Sequence, residues 1–239
     1  MLHCLLEPNK TYDLAEAYED YLHIRFANAD SDEELIDFIR AWGPLYLPNM
    51  AKPKDGVVSL PLRHCRAYQR QIKALLGALT AFKWGKGERE ALEEFIQAVE
   101  ASDRDDLMTH SLANLFGIQG SVLDWARSAN LRDVRAATDF IVRVTVGSSL
   151  ALKLTCQRKG NRRQVEAGWN FFALEDALRW MVWYDEFTHH PVICCQECRK
   201  VFRGETARVR KYCSVECGHR ATAREAMRNK RAAERAGGK

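Results

Sequence analysis

The chain has 239 residues, enough for one large domain or for a large and a small one. Its 46% hydrophobic and 28% charged content excludes a disordered chain. The longest uncharged run, Leu107–Leu123, carries His, Asn, Gln, Thr and two Ser, which excludes it as a membrane span.

The net charge of +4 is unevenly spread. From Cys195 onward there are thirteen Lys or Arg against five Asp or Glu, a balance of +8 that leaves −4 for residues 1–194. An acidic body with a basic tail predicts that a polyanion meets the tail. The first residues lack a basic start followed by an apolar core and a cleavage site, which predicts a cytoplasmic protein. Cys4, Cys65 and Cys156 are scattered, whereas Cys194, Cys195, Cys198, Cys213 and Cys217 cluster. In a protein without export, such a cluster reads as metal binding before disulfides.

In chain order, the first 40 residues read as helical. Leu14, Ala17, Tyr18, Tyr21 and Leu22 fall at helical spacing, and Leu35, Phe38 and Ile39 repeat it within Asp32 to Arg40. Ser31 with Glu34 three residues on resembles a capping box. Gly43 to Pro61 holds four of the six prolines and predicts an irregular connection packed on the domain by Leu45, Tyr46, Leu47, Val57, Val58 and Leu60. Helices are expected at about Leu62–Phe82, Glu88–Ala101 and Leu131–Val144. Leu150, Leu152, Leu154 and Cys156, then Val165, Ala167, Trp169 and Phe171, alternate around Gly160-Asn161 and predict a β-hairpin. Helical spacing returns over Phe172–Phe187, and Pro191 stops it. His189 and His190 read as helix-end residues.

Cys195-Gln196-Glu197-Cys198 is followed, fourteen residues later, by Cys213-Ser214-Val215-Glu216-Cys217. Two close thiolate pairs joined by a loop satisfy tetrahedral Zn2+, each pair spanning one edge of the tetrahedron. Iron–sulfur ligation is the minor competitor. Cys194 competes with Cys195 for a ligand place, and the two-residue spacer favours Cys195. His219 is placed on the helix surface. With so few apolar residues between Cys195 and Cys217, metal binding and folding of this segment are expected to be coupled.

After Cys217 the sequence turns helical. Arg220, Arg224, Arg228, Arg231 and Arg235 recur at steps of four, four, three and four and share one helix face. A solvated face is the plain reading. A phosphate-tracking face is the sharper one, joined by Arg208, Arg210 and Lys211 from the loop between the cysteine pairs. If all five helix arginines met phosphate, log affinity would fall with log salt at a slope of roughly −4 to −5.

Cys195-x2-Cys198, Phe202, Arg210-Lys211-Tyr212-Cys213-Ser214 and Cys217-Gly218-His219-Arg220-Ala221 resemble the CGNR zinc finger over residues 192–231. Here His219 replaces the asparagine of the name-giving motif. The resemblance implies a treble-clef-like bacterial module of DNA-binding transcriptional regulators, preceded by a helical domain of the ABATE kind. Gly160-Asn161-Arg162 is a decoy, since no cysteine precedes it.

No H-E-x-x-H, G-x-S-x-G, Walker-type or G-x-G-x-x-G motif occurs, so no catalytic residue is assigned and the chain is not expected to be an enzyme. Asp103, Asp105 and Asp106 read as a solvated turn, and Trp169, Phe171, Phe172, Trp180 and Trp183 as packed core. The expected architecture is mainly α. A helical domain over residues 1–190 carries a small β-hairpin and senses a small molecule or a protein, or mediates assembly. A zinc finger with its basic helix fills residues 191–239. The expected function is binding of DNA, with RNA or a protein partner as alternatives.

Overall fold

The computed structural model describes residues 2–5, 21–43, 45, 57–84, 87–103, 152–159, 162–169, 174–188, 192–204 and 210–237. In chain order these form β1 (Leu2–Leu5), α1 (Leu22–Asn28), α2 (Asp32–Trp42), β2 (Val57–Leu60), α3 (Leu62–Trp84) and α4 (Glu88–Asp103). There follow β3 (Leu152–Lys159), β4 (Arg162–Trp169), α5 (Leu174–Phe187), β5 (Val192–Cys194), β6 (Val201–Arg203) and α6 (Val215–Gly237). The described chain is mainly helical, with a β-hairpin in its second half and a cysteine cluster near its end.

The capping box forms as predicted. Ser31 Oγ accepts from the Glu34 N–H at 3.1 Å, and the Glu34 carboxylate accepts from the Ser31 N–H at 3.3 Å. Strong helix formers carry α3 and α4, whose starts fall where expected and whose ends lie two residues further on. Strands β3 and β4 pair antiparallel from Leu152↔Trp169 to Lys159↔Arg162, the expected hairpin, with Gly160 and Asn161 outside the described residues.

Two expectations fail near the N-terminus. Leu2–Leu5 is a strand, and Val57–Leu60, expected to be irregular, pairs with it antiparallel. Neither four-residue segment has enough alternation to declare itself, and its partner lies some fifty residues away. Tyr21 is in the left-handed region at φ 49°, so α1 begins afresh at Leu22. Leu14, Ala17 and Tyr18, the helix expected at residues 131–144, and His189 and His190 lie outside the described residues.

The core is built on α3, whose Tyr68, Ile72, Leu75, Leu76 and Leu79 are buried against Phe26 of α1, Leu92, Phe95 and Ile96 of α4, and Leu174, Leu178 and Met181 of α5. Tyr68 and Phe38 lie 5.9 and 5.4 Å, centroid to centroid, from the Phe26 ring. Gln69 of α3 donates to the Phe26 and Ala29 carbonyls, both at 2.7 Å, and so satisfies acceptors left open at the end of α1.

Strands β5 and β6 form a short antiparallel hairpin, Val192↔Arg203 to Cys194↔Val201, and its Val192 and Val201 lie in the same core. Helical side chains stand in for neighbouring strands on both outer edges. Asn28 of α1 accepts from the Val201 N–H at 2.8 Å and donates to its carbonyl at 2.7 Å. Thr80 of α3 accepts from the Cys194 N–H at 3.0 Å and shares its proton between the Leu76 carbonyl at 2.7 Å and the Val192 carbonyl at 3.4 Å. Beside them Asp185 of α5, fully buried, bonds His23 Nε2 at 2.7 Å and lies 4.0 Å from the Arg203 guanidinium. Arg203 in turn donates to the Tyr21 hydroxyl at 2.7 Å and sits over its ring.

Candidate metal centre

The turn between β5 and β6 carries the first cysteine pair. It closes through the Arg199 N–H to the Cys195 carbonyl at 3.0 Å and the Cys195 N–H to the Lys200 carbonyl at 2.8 Å. Arg199 adopts the left-handed conformation at φ 61°, which a side-chain-bearing residue enters at a cost of about 1 kcal/mol. Its guanidinium pairs with Glu94 of α4, and Lys200 with Asp30 at 3.5 Å. The turn is therefore fastened to the body at the residues that bend it.

The second pair straddles the start of α6. Ser214 is the cap: its Oγ accepts from the Cys217 N–H at 3.3 Å and its carbonyl from the Gly218 N–H at 3.2 Å. Cys213 thus sits just before the helix and Cys217 in its first turn, where the unpaired N–H groups and the helix dipole favour a thiolate. Tyr212 packs on Gly218, 3.6 Å from where a side-chain carbon would stand.

The Sγ atoms of Cys195, Cys198, Cys213 and Cys217 lie within 4.8 Å of one another. Cys198 and Cys213 are 3.4 Å apart and Cys213 and Cys217 3.6 Å. These separations are well beyond the ~2.05 Å of a disulfide. They approach the ~3.8 Å edge of a tetrahedron with metal–sulfur bonds of ~2.3 Å. The four sulfurs fit one metal ion. Cys194 does not join them; its buried thiol donates to the Arg199 carbonyl at 3.5 Å. His219 is exposed on α6, away from the cluster.

Electrostatics divide the four thiols. Burial pushes Cys195 up, but donation by the Cys198, Cys213 and Glu197 N–H groups outweighs it and brings the thiol down to about 7. Burial also pushes Cys213 up, and hydrogen bonds with Cys198, Cys217 and Cys195 add to it, reaching about 12. Burial opposes ionisation of Cys217, yet Ser214 and Arg220 hold its thiol below the usual range. Desolvation raises Cys198. Such a set keeps protons on some sulfurs until a cation replaces them.

The predicted basic residues separate into three groups. Arg220 donates to Cys217 Sγ at 3.1 Å, and Arg224 pairs with Glu197, between the first two cysteines, at 2.6 Å. Arg224 fastens α6 to the first cysteine pair, whereas the Arg220 contact lies within α6 and supports the Cys217 thiolate. Arg228, Arg231 and Arg235 are exposed with no partner among the described residues, as are Arg210 and Lys211 in the approach to Cys213. Arg208 lies outside the described residues. Glu197, Ser214 and Arg199 were not singled out from the sequence. Ser214 had a signal in its cap-forming place just ahead of a helical stretch; the other two had none.

Trp180 is buried and stacks on Tyr184 at 4.8 Å, consistent with packed core. Among the described residues no helix is long and apolar enough to cross a membrane. No protein-family model, curated protein or solved structure matches this chain.

Proposed function

We propose that the protein is a zinc-dependent DNA-binding protein of regulatory type, whose metal module presents a cationic helix to the phosphate backbone. Four thiolates close to tetrahedral spacing suit Zn2+, while hard cations such as Mg2+ and Ca2+ take oxygen ligands. An iron–sulfur cluster, with inorganic sulfide between its irons, needs the thiolates spread further than the 4.8 Å seen here. When bound, the ion would join the two cysteine pairs and neutralise their charge. Arg224, paired with Glu197, then sets the direction in which α6 leaves the cluster.

The observation that carries the reading is the exposed arginine face of α6. Arg228, Arg231 and Arg235 lie within one arc of the helix, and neither Glu225 nor Glu234 falls inside it. Uncommitted guanidinium groups so arranged are suited to phosphate oxygens. The likeness of the cysteine spacing and of the Cys217–Ala221 run to the CGNR zinc finger supports the same reading. Electrostatic capture of this kind has a measurable signature. Arg210, Lys211, Arg228, Arg231 and Arg235 together would give a salt slope of about −4 to −5, carried by a different five cations from the helix stripe alone.

The test combines metal analysis of the purified chain with anisotropy titrations on random-sequence duplex DNA over a range of salt. One zinc per chain and a slope in that range are expected. A metal-free folded chain, or a slope near zero, would overturn the proposal. Protein partners that survive nuclease treatment, without DNA binding, would assign the module to protein recognition instead.

A further inference from the structure

Resting on the reading above, we infer that α6 enters the major groove of duplex DNA as a free-standing helix. Every residue from Thr222 to Arg235 is exposed, and among the described residues only the Arg224–Glu197 ion pair ties this stretch to the rest of the chain. A helix that merely laid one face along a phosphate strand would be free to pack its other face on the protein. Here no face is covered by the described residues. Helicity is kept by composition: Ala221, Ala223, Ala226, Ala232, Ala233 and Ala236 are the strongest helix formers, and the Ser214 cap fixes the first turn.

The dimensions fit a groove. Fourteen exposed residues at 1.5 Å each give a rod of about 21 Å, and a helix diameter of about 10–12 Å suits a groove about 12 Å wide. The minor groove of B-DNA, at about 6 Å, is too narrow, and the major groove of A-form RNA is deep and narrow. Charge reaches both walls. The Arg228, Arg231 and Arg235 arc faces one side, and Lys230, 4.0 Å from the Glu234 carboxylate, projects roughly 130° around the helix from the middle of that arc. Between them the back of the rod carries small residues, Ala226, Ala233 and Thr222 among them, which allow close approach to a groove.

The experiment uses the zinc-loaded full chain and four probes. These are a random-sequence DNA duplex, the same duplex with glucosylated hydroxymethylcytosine filling its major groove, the plain duplex with a netropsin-type minor-groove ligand, and the RNA duplex of that sequence. Binding should weaken by about tenfold or more on the filled major groove and on RNA, the equivalent of one or two lost contacts, and stay unchanged with the minor-groove ligand. Replacing Arg228, Arg231 and Arg235 together with Ala should leave zinc content and helix signal intact while flattening the salt slope by about 2.7. Equal binding with the major groove filled, or displacement by the minor-groove ligand, would overturn this inference and leave DNA binding standing. Absence of salt-dependent binding to any duplex would remove the parent reading as well.

Discussion

The two halves of the cysteine module differ in what surrounds them. The β5–β6 hairpin, with Cys195 and Cys198, is sunk into the body: Val192 and Val201 are core residues, and Asn28 and Thr80 complete the hairpin's edges. Helix α6, with Cys217 in its first turn, leaves the body and stays in solvent along most of its length. The sulfur cluster lies at the seam. One half of the module is stabilised by burial and hydrogen bonds that need no metal. The other would depend on an ion held by the four sulfurs, on Arg224, and on its own helix propensity.

The largest effect should come from breaking that seam. Structural zinc is worth about 10–16 kcal/mol in small fingers near neutral pH. Cys213→Ser, or chelation, should therefore release the metal and remove much of the circular-dichroism signal of the 23-residue α6, while the body keeps its own cooperative melting. If the body melted away together with α6, the hairpin would not be the metal-independent half described here. The same seam gives a pH dependence of known sign. Cys213, pushed up to about 12, holds its proton across the neutral range and must release it when metal binds. Cys198, raised as well by desolvation, has a second proton to release, so metal affinity should fall about a hundredfold per unit as pH drops, and more steeply below about 7, where Cys195 also has a proton to give up. A pH-independent affinity in a competition titration would contradict this proton inventory.

A smaller effect is expected on the docked side. Asn28→Ala would leave the buried Val201 N–H and carbonyl without their side-chain partner, at a cost of about 1–3 kcal/mol. Asp185→Ala would leave the buried His23 Nε2 without its partner and remove the carboxylate beside Arg203, again at a cost of about 1–3 kcal/mol. Both should lower the melting temperature of the body with zinc stoichiometry unchanged. Metal loss at full body stability would reverse the comparison.

What the sequence made legible follows the range of the interactions. The Ser31–Glu34 box, the starts of α3 and α4, the β3–β4 hairpin and the four metal-fitting cysteines are all set by neighbours within a few residues, or by a repeated spacing. The β1–β2 pair is not, because each strand is short and its partner lies far along the chain. The docking of the hairpin was equally hidden. Asn28, Thr80 and Asp185 are single polar residues on helices, and nothing around them announces that they meet β5 and β6. The arginine stripe was legible as a stripe. Its division into Arg220, turned to Cys217 of its own helix, anchoring Arg224, and Arg228, Arg231 and Arg235 without side-chain partners among the described residues rests on Glu197 being brought beside α6.

The smallest predicted effect concerns Gly218, the glycine of the Cys-Gly-His-Arg run. Two physical reasons would demand glycine there, a left-handed backbone or a close approach, and neither applies. Among the described residues only Gly43 and Gly87 have positive-φ glycine conformations. A side-chain carbon at Gly218 would meet Tyr212 at 3.6 Å, an ordinary contact distance. Alanine inside a helix is favoured over glycine by about 0.5–1 kcal/mol. Gly218→Ala should therefore strengthen the first turns of α6, the half of the module that lacks support from the body. Its gain should be largest with the metal removed, when helix propensity has most to decide, and it should be read as retained α6 signal in the chelated chain. A drop in zinc affinity instead would mean that Tyr212 cannot tolerate the added carbon, and that the Tyr212–Gly218 contact helps set the geometry of Cys213 and Cys217.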